Sequence, residues 1–141
     1  KKKCDTHLEF DIAKIIQQDA SNPIFYINYA HARIHSLFKK CDTEFDAVKD
    51  ANLEGIDQAG LDLLFDALLL PEVLKDAFKH RQMQKITDYL YELAASVHKL
   101  YNATKILGHP QQEAYLKLFA TCACTISTGL GLLGIEAKKQ M

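Results

Sequence analysis

Two long runs of apolar residues at helical spacing constrain this chain most. In the first, from about Met83 to Leu107, Ile86, Leu90, Leu93, Val97, Leu100 and Tyr101 fall on one face. In the second, Tyr115, Leu118, Phe119, Cys122, Ile126, Leu130 and Leu133 do the same. Spacings of three and four make a continuous stripe on an α-helix and scatter over both faces of a strand. Gly108-His109-Pro110 separates the runs. Glycine follows helix ends readily and proline cannot continue a helix, so the first helix should stop there and the second begin at Pro110. Gly134 should end the second, leaving Ile135 to Met141 as a short tail. Two long helices joined by a tight connection pack as an antiparallel hairpin.

The rest of the chain follows the same pattern. Asn22-Pro23 reads as an N-cap followed by proline at the first helical position. From there Ile24, Ile27, His31, Ile34 and Phe38 form a stripe that ends near Lys39-Lys40, cations suited to a helix C-terminus. Residues 42–60 are acidic and contain Gly55 and Gly60, which predicts a surface connection with at most a short helical turn. Leu61, Leu64, Phe65 and Leu68 predict a further helical stripe ending before Pro71. Pro71-Glu72 should open a short helix carrying Val73, Leu74, Ala77 and Phe78. With only 6 glycines and 3 prolines in 141 residues and no sustained period-two alternation, the expected fold class is all-α, a helical bundle.

Composition narrows the function classes. A net charge of −1 excludes a uniformly basic nucleic-acid binder, yet the charge is unevenly spread. Residues 1–41 carry +3, residues 42–78 carry −8 and residues 79–141 carry +4. A basic face could form where the two ends pack together, or the charges could simply solvate helix faces. No uninterrupted apolar run approaches the ~18 residues of a spanning helix, so no membrane partner is expected. Lys1-Lys2-Lys3 has no apolar stretch behind it and there is no initiator Met, so the sequence reads as part of a longer gene product without a signal peptide. Four cysteines (Cys4, Cys41, Cys122 and Cys124) are too few for a disulfide scaffold and suit free thiols in the cytoplasm.

Catalytic apparatus is not visible. His31 and His35 have a spacing that can hold a metal, but His31 lies in the apolar stripe and no carboxylate completes a set, so a packed or hydrogen-bonded histidine is expected and no metal site. Cys122 and Cys124 would point roughly 200° apart on a helix, which places Cys122 in the core and separates the thiols. There is no phosphate-cradling glycine loop and no nucleophile elbow. The tyrosines are more suggestive. Tyr29 has Arg33 four residues on, and Tyr101 has Lys105. A ring beside a cation can stack an unpaired base and neutralise a phosphate. The same residues could equally be core-edge tyrosines with a wet hydroxyl, the expectation for Tyr89 and Tyr91.

Four segments, in order, resemble the C-terminal anticodon-binding domain of arginyl-tRNA synthetases, the DALR type of class I aminoacyl-tRNA synthetases. They are Cys4-Asp-Thr-His-Leu-Glu-Phe-Asp11, Asn22-Pro-Ile-Phe-Tyr-Ile-Asn-Tyr-Ala-His-Ala-Arg-Ile34, Thr87-Asp-Tyr-Leu-Tyr-Glu-Leu-Ala94 with its continuation Val97 to Asn102, and Gly129-Leu-Gly-Leu-Leu-Gly-Ile135 through Met141. The resemblance covers essentially all 141 residues and implies one helical domain, with 1–21 as the lead-in from a catalytic domain and 22–141 as the bundle. Asn28 stands where the family often has Gln.

What the resemblance implies is recognition of the anticodon loop of arginine tRNA by a domain of arginine–tRNA ligase. The whole enzyme joins arginine to that tRNA with ATP and Mg²⁺. The His-Ile-Gly-His and Lys-Met-Ser-Lys-Ser signatures of its catalytic domain are not in this sequence. The domain is therefore expected to bind without catalysing and to need no cofactor or metal of its own, and a monomer is expected. The family pattern places Tyr29, Arg33, Tyr101 and Met141 at the anticodon, with Asn28 and His35 as neighbours. In this reading Tyr29 and Tyr101 stack splayed bases, Arg33 holds a phosphate or base edge, and the last turn with the Met141 carboxylate reads polar base edges. The alternative is a helical protein–protein module derived from such a domain. That would require an exposed aliphatic patch, whereas the stripes account for most aliphatic residues.

Overall fold

Asn22 starts the first helix as its sequence requires: its Oδ1 accepts from the amides of Ile24 (3.1 Å) and Phe25 (3.4 Å), and Pro23 follows in the first turn. The computed structural model describes residues 21–141. The Cys4–Asp11 motif and nearly all of the 1–21 lead-in lie outside the described residues. The elements are α1 (Pro23–Lys40), a 3₁₀ turn (Phe45–Val48), α2 (Gln58–Leu68), α3 (Leu70–His80), α4 (Gln84–Ala103) and α5 (Gln112–Leu132), with no strand among the described residues.

The two long helices form the expected hairpin. Ile86, Leu90, Leu93, Val97 and Leu100 of α4 and Tyr115, Leu118, Phe119, Cys122, Ile126 and Leu130 of α5 are all buried. Each fully buried side chain of this size contributes about 1.5–3 kcal/mol of hydrophobic stabilisation. Helix α1 packs across both members of the hairpin, α2 packs on both from another side, and α3 lies on α4. Gly129 sets the closeness of α4 and α5, because a Cβ there would stand 2.7 Å from one Cδ of Leu90. By length and a mean hydropathy of 1.2, α5 is long and apolar enough to cross a membrane, but half of that stretch is buried against the other helices.

Three expectations change. The first long helix ends at Ala103, four residues early, because Thr104 is extended and Ile106 turns back into the core. The second begins at Gln112, after a turn in which the Gly108 amide donates to Gln112 Oε1 (2.7 Å). The predicted stripe on α2 is rotated. Gly60, Leu63 and Ala67 face the core, while Leu61, Phe65 (65% exposed) and Leu68 (61% exposed) face solvent, as does Phe78 on α3. Small residues let α2 approach α5 closely: the Cβ position of Gly60 is 3.5 Å from Leu118.

Pro71 explains the break between α2 and α3. It has no N–H to give the Ala67 carbonyl four residues back. Thr125 Oγ1 (3.0 Å) donates to that oxygen instead, and the single Tyr89 O–H is shared between the Asp66 carbonyl (2.5 Å) and the Ala67 carbonyl (3.2 Å). Tyr89 is thus a core-edge tyrosine, but its hydroxyl is held by backbone carbonyls and not by water as expected. Tyr91 is also a core-edge tyrosine, and its ring lies 4.8 Å from that of Tyr26.

The C-terminal tail is no loose end. Gly134 has φ +74°, and the Gly134 and Ile135 amides donate to the Gly131 and Leu130 carbonyls, a left-handed turn that reverses the chain. Ile135 and Ala137 then pack on the core.

Candidate nucleic-acid interface

A groove of about 360 Å³ lies between α1, the C-terminal end of α4 and the tail, lined by Tyr29, Ala32, Arg33, Ser36, Lys40, Tyr101 and Met141. Four residues expected at the site, from three separate parts of the chain, meet here: Tyr29, Arg33, Tyr101 and Met141. Helical register puts Tyr29, Arg33, Ser36 and Lys40 on one edge of α1. The burial of Ile27, Ile34 and Phe38 turns that edge outward beside α4.

The cation of the groove pairs across helices rather than along one. The Arg33 guanidinium carbon sits 3.9 Å from the centroid of the Tyr101 ring. Its Nη2 donates to Asn102 Oδ1 (2.6 Å) and its Nη1 to His98 Nδ1 (3.2 Å). Arginine has five N–H donors and stays charged, so His98 Nδ1 must accept, and the imidazole is the neutral Nε2–H tautomer. Burial, and then the Arg33 charge, hold His98 below the usual histidine range. Its Nε2 is buried without a hydrogen-bond partner. Tyr29 stacks on His98 (5.2 Å, 30°) and remains 45% exposed. Tyr101 is backed edge-on by Phe119 at 6.2 Å. The groove therefore presents an exposed ring, a cation held in place by three partners, and Lys40. His98 and Asn102 went unassigned in the sequence because only the packing of α1 on α4 gives them a role.

Two expected neighbours do not line the groove. Asn28 is 4% exposed, and its Oδ1 accepts from the Lys138 amide (2.8 Å). It faces the tail because it sits one residue from Tyr29, about 100° around the helix. The His35 ring lies between those of His31 (4.7 Å) and Phe45 (4.6 Å). Burial, with His31 and Lys139 nearby, lowers its pKa to about 4. His31 is the hydrogen-bonded histidine expected from its stripe position: it is 4% exposed, and its Nδ1 donates to the Lys138 carbonyl (2.7 Å). Cys122 is buried with its thiol pushed up to about 12, while Cys124 is exposed, so the two diverge as helical geometry requires.

Residues 27–141 match the family described as the DALR anticodon binding domain. The chain belongs to that family. The DALR domain is 56% identical over 140 residues to the arginine–tRNA ligase of Aliarcobacter butzleri (strain RM4018), and 53% identical to that of Campylobacter jejuni (serotype O:23/36, strain 81-176). Both matches cover 99% of this chain but 26% of the relative, so the chain spans about a quarter of the length of these relatives. A solved arginyl-tRNA synthetase structure from Campylobacter jejuni superposes with a TM-score of 0.93 at 53% identity, covering 99% of this chain and 31% of that one. The arginyl-tRNA synthetase of Thermus thermophilus gives 0.81 at 30% identity, covering 94% and 23%.

Proposed function

We propose that this DALR domain binds the anticodon loop of arginine tRNA as part of an arginine–tRNA ligase acting in the cytoplasm. The observation that carries the reading is the groove: Tyr29, Arg33, Tyr101 and Met141 come together on a fold whose relatives are arginine–tRNA ligases. Tyr29 offers a ring face to a splayed base, where stacking is worth about 1–3 kcal/mol. Arg33 is held by Tyr101, His98 and Asn102, so little of its freedom remains to be lost on binding. Its remaining N–H groups suit a phosphate or a base edge. Lys40 adds charge on the same wall. Arginine, ATP and Mg²⁺ would be handled by the remainder of such a ligase. Leu61, Phe65 and Leu68 are exposed on α2, outside the groove and in the acidic 42–78 stretch, and neither the family match nor the relatives favour the protein-module alternative.

The test is a titration of the 141-residue chain with an arginine anticodon stem-loop at two salt concentrations, beside a stem-loop with the central anticodon base changed. Tighter binding of the arginine loop, weakened roughly tenfold by Tyr29→Ala or Arg33→Ala, is expected. Binding that those variants leave unchanged refutes the groove as the site.

A further inference from the structure

The groove has one wall that no helix supplies: the tail that follows α5, through Met141. Asn28 and His31 stand one helical turn apart on α1 and grip one tail residue from both sides. The Lys138 amide donates to Asn28 Oδ1 (2.8 Å), and His31 Nδ1 donates to the Lys138 carbonyl (2.7 Å). Both side chains are buried, although amide and imidazole groups are costly to bury without partners. The tail brings them those partners. It arrives there because Gly134 reverses the chain, and Ile135 and Ala137 anchor it on alternate residues. Met141, the tail residue that lines the groove, stands three residues past this grip. We infer that Asn28 and His31 are positioning residues for RNA binding: they clip the backbone at Lys138 and thereby hold the segment through Met141 in place as a wall of the groove. The inference rests on the proposed binding function.

On this account the two residues act through the tail and not by touching RNA. Asn28 opens onto the tail side of α1 and Tyr29 onto the groove side, so adjacent residues divide the work of building the wall and presenting the ring. The Lys138 side chain is exposed, which allows the clip to be cut from outside the core.

The test compares Lys138→Pro, which has no amide hydrogen to give Asn28, with Lys138→Ala, which keeps that hydrogen and loses the same charge. Asn28→Ala and a chain shortened to residues 1–137 complete the set. Amide exchange is read over residues 135–141, and affinity is read with the arginine anticodon stem-loop. Lys138→Pro relative to Lys138→Ala, and Asn28→Ala relative to the unaltered chain, should each speed tail exchange roughly tenfold, leave the α4 and α5 amides protected, and weaken RNA about 3- to 10-fold. In the shortened chain Asn28→Ala should weaken RNA no further.

Equal losses from Asn28→Ala in the full and shortened chains would overturn the proposal while leaving the binding function standing, as would Lys138→Pro binding like Lys138→Ala. Failure of the unaltered chain to bind would overturn both. Should Asn28→Ala not fold, the Lys138 pair decides alone, since it alters only an exposed residue.

Discussion

Adding one methyl group at Gly129 measures how closely α4 and α5 approach. An alanine Cβ there would stand 2.7 and 2.9 Å from the two Cδ atoms of Leu90 and 3.1 Å from its Cγ. Such distances lie far inside ordinary carbon contact, and Leu90 is fully buried, so it has no open space to move into. Overpacking of this kind costs about 1–3 kcal/mol. Replacing a helical glycine by alanine also gains up to ~1 kcal/mol of propensity. Gly131, two residues on in the same helix, separates the two effects, because nothing lies within 4 Å of its Cβ position. Gly131→Ala should therefore be neutral or stabilising, and Gly129→Ala should fall below it by about 1–3 kcal/mol. Urea unfolding followed by far-UV circular dichroism reads the difference as a shift of midpoint at constant slope. Leu90→Ala costs about 2–5 kcal/mol alone but should make Gly129→Ala far less harmful, giving a coupling of about 1–3 kcal/mol. Equal stability of the two glycine variants, or additivity with Leu90→Ala, would refute the close crossing.

Two further outcomes follow from other parts of the molecule. Leu63→Ala, in the face that α2 buries, should cost about 2–5 kcal/mol, whereas Phe65→Ser, two residues on, should stay within about 0.5 kcal/mol; thermal melts check this, and the reverse order would restore the stripe predicted from the sequence. Burial lowers the pKa of His31, His35 and His98, so the unfolded chain takes up protons before the folded one as pH falls. The stability they contribute is complete above the ordinary value of 6.5 and declines towards the value of about 4 reached by His35, with His31 and Lys139 facing that ring. His35→Asn should flatten the decline in urea midpoints between pH 7 and 4.5, and identical slopes for the two proteins would refute the assignment.

Much of this protein is written locally. Asn22-Pro23 starts α1 because an N-cap oxygen and a proline act within three residues of themselves, and Gly134 ends α5 because only the turn's own backbone is involved. The α4 and α5 stripes were legible because 20 and 21 helical residues repeat the pattern often enough to choose one face. On α2 that information fails: apolar residues at 61, 63, 64, 65, 67 and 68 go most of the way around 11 residues, so periodicity selects no face. Close packing on α5 makes the choice, favouring Gly60, Leu63 and Ala67, and leaves Phe65 in water. The groove divides in the same way. Tyr29 and Arg33 share an edge of α1 by helical register alone, and family resemblance singled out Tyr101 and Met141. That Arg33 lies over Tyr101, that His98 and Asn102 hold it, and that Asn28 and His31 grip Lys138 depended on tertiary structure. These partners are 65 to 110 residues apart, and a hydrogen bond across such a distance exists only after the helices have packed.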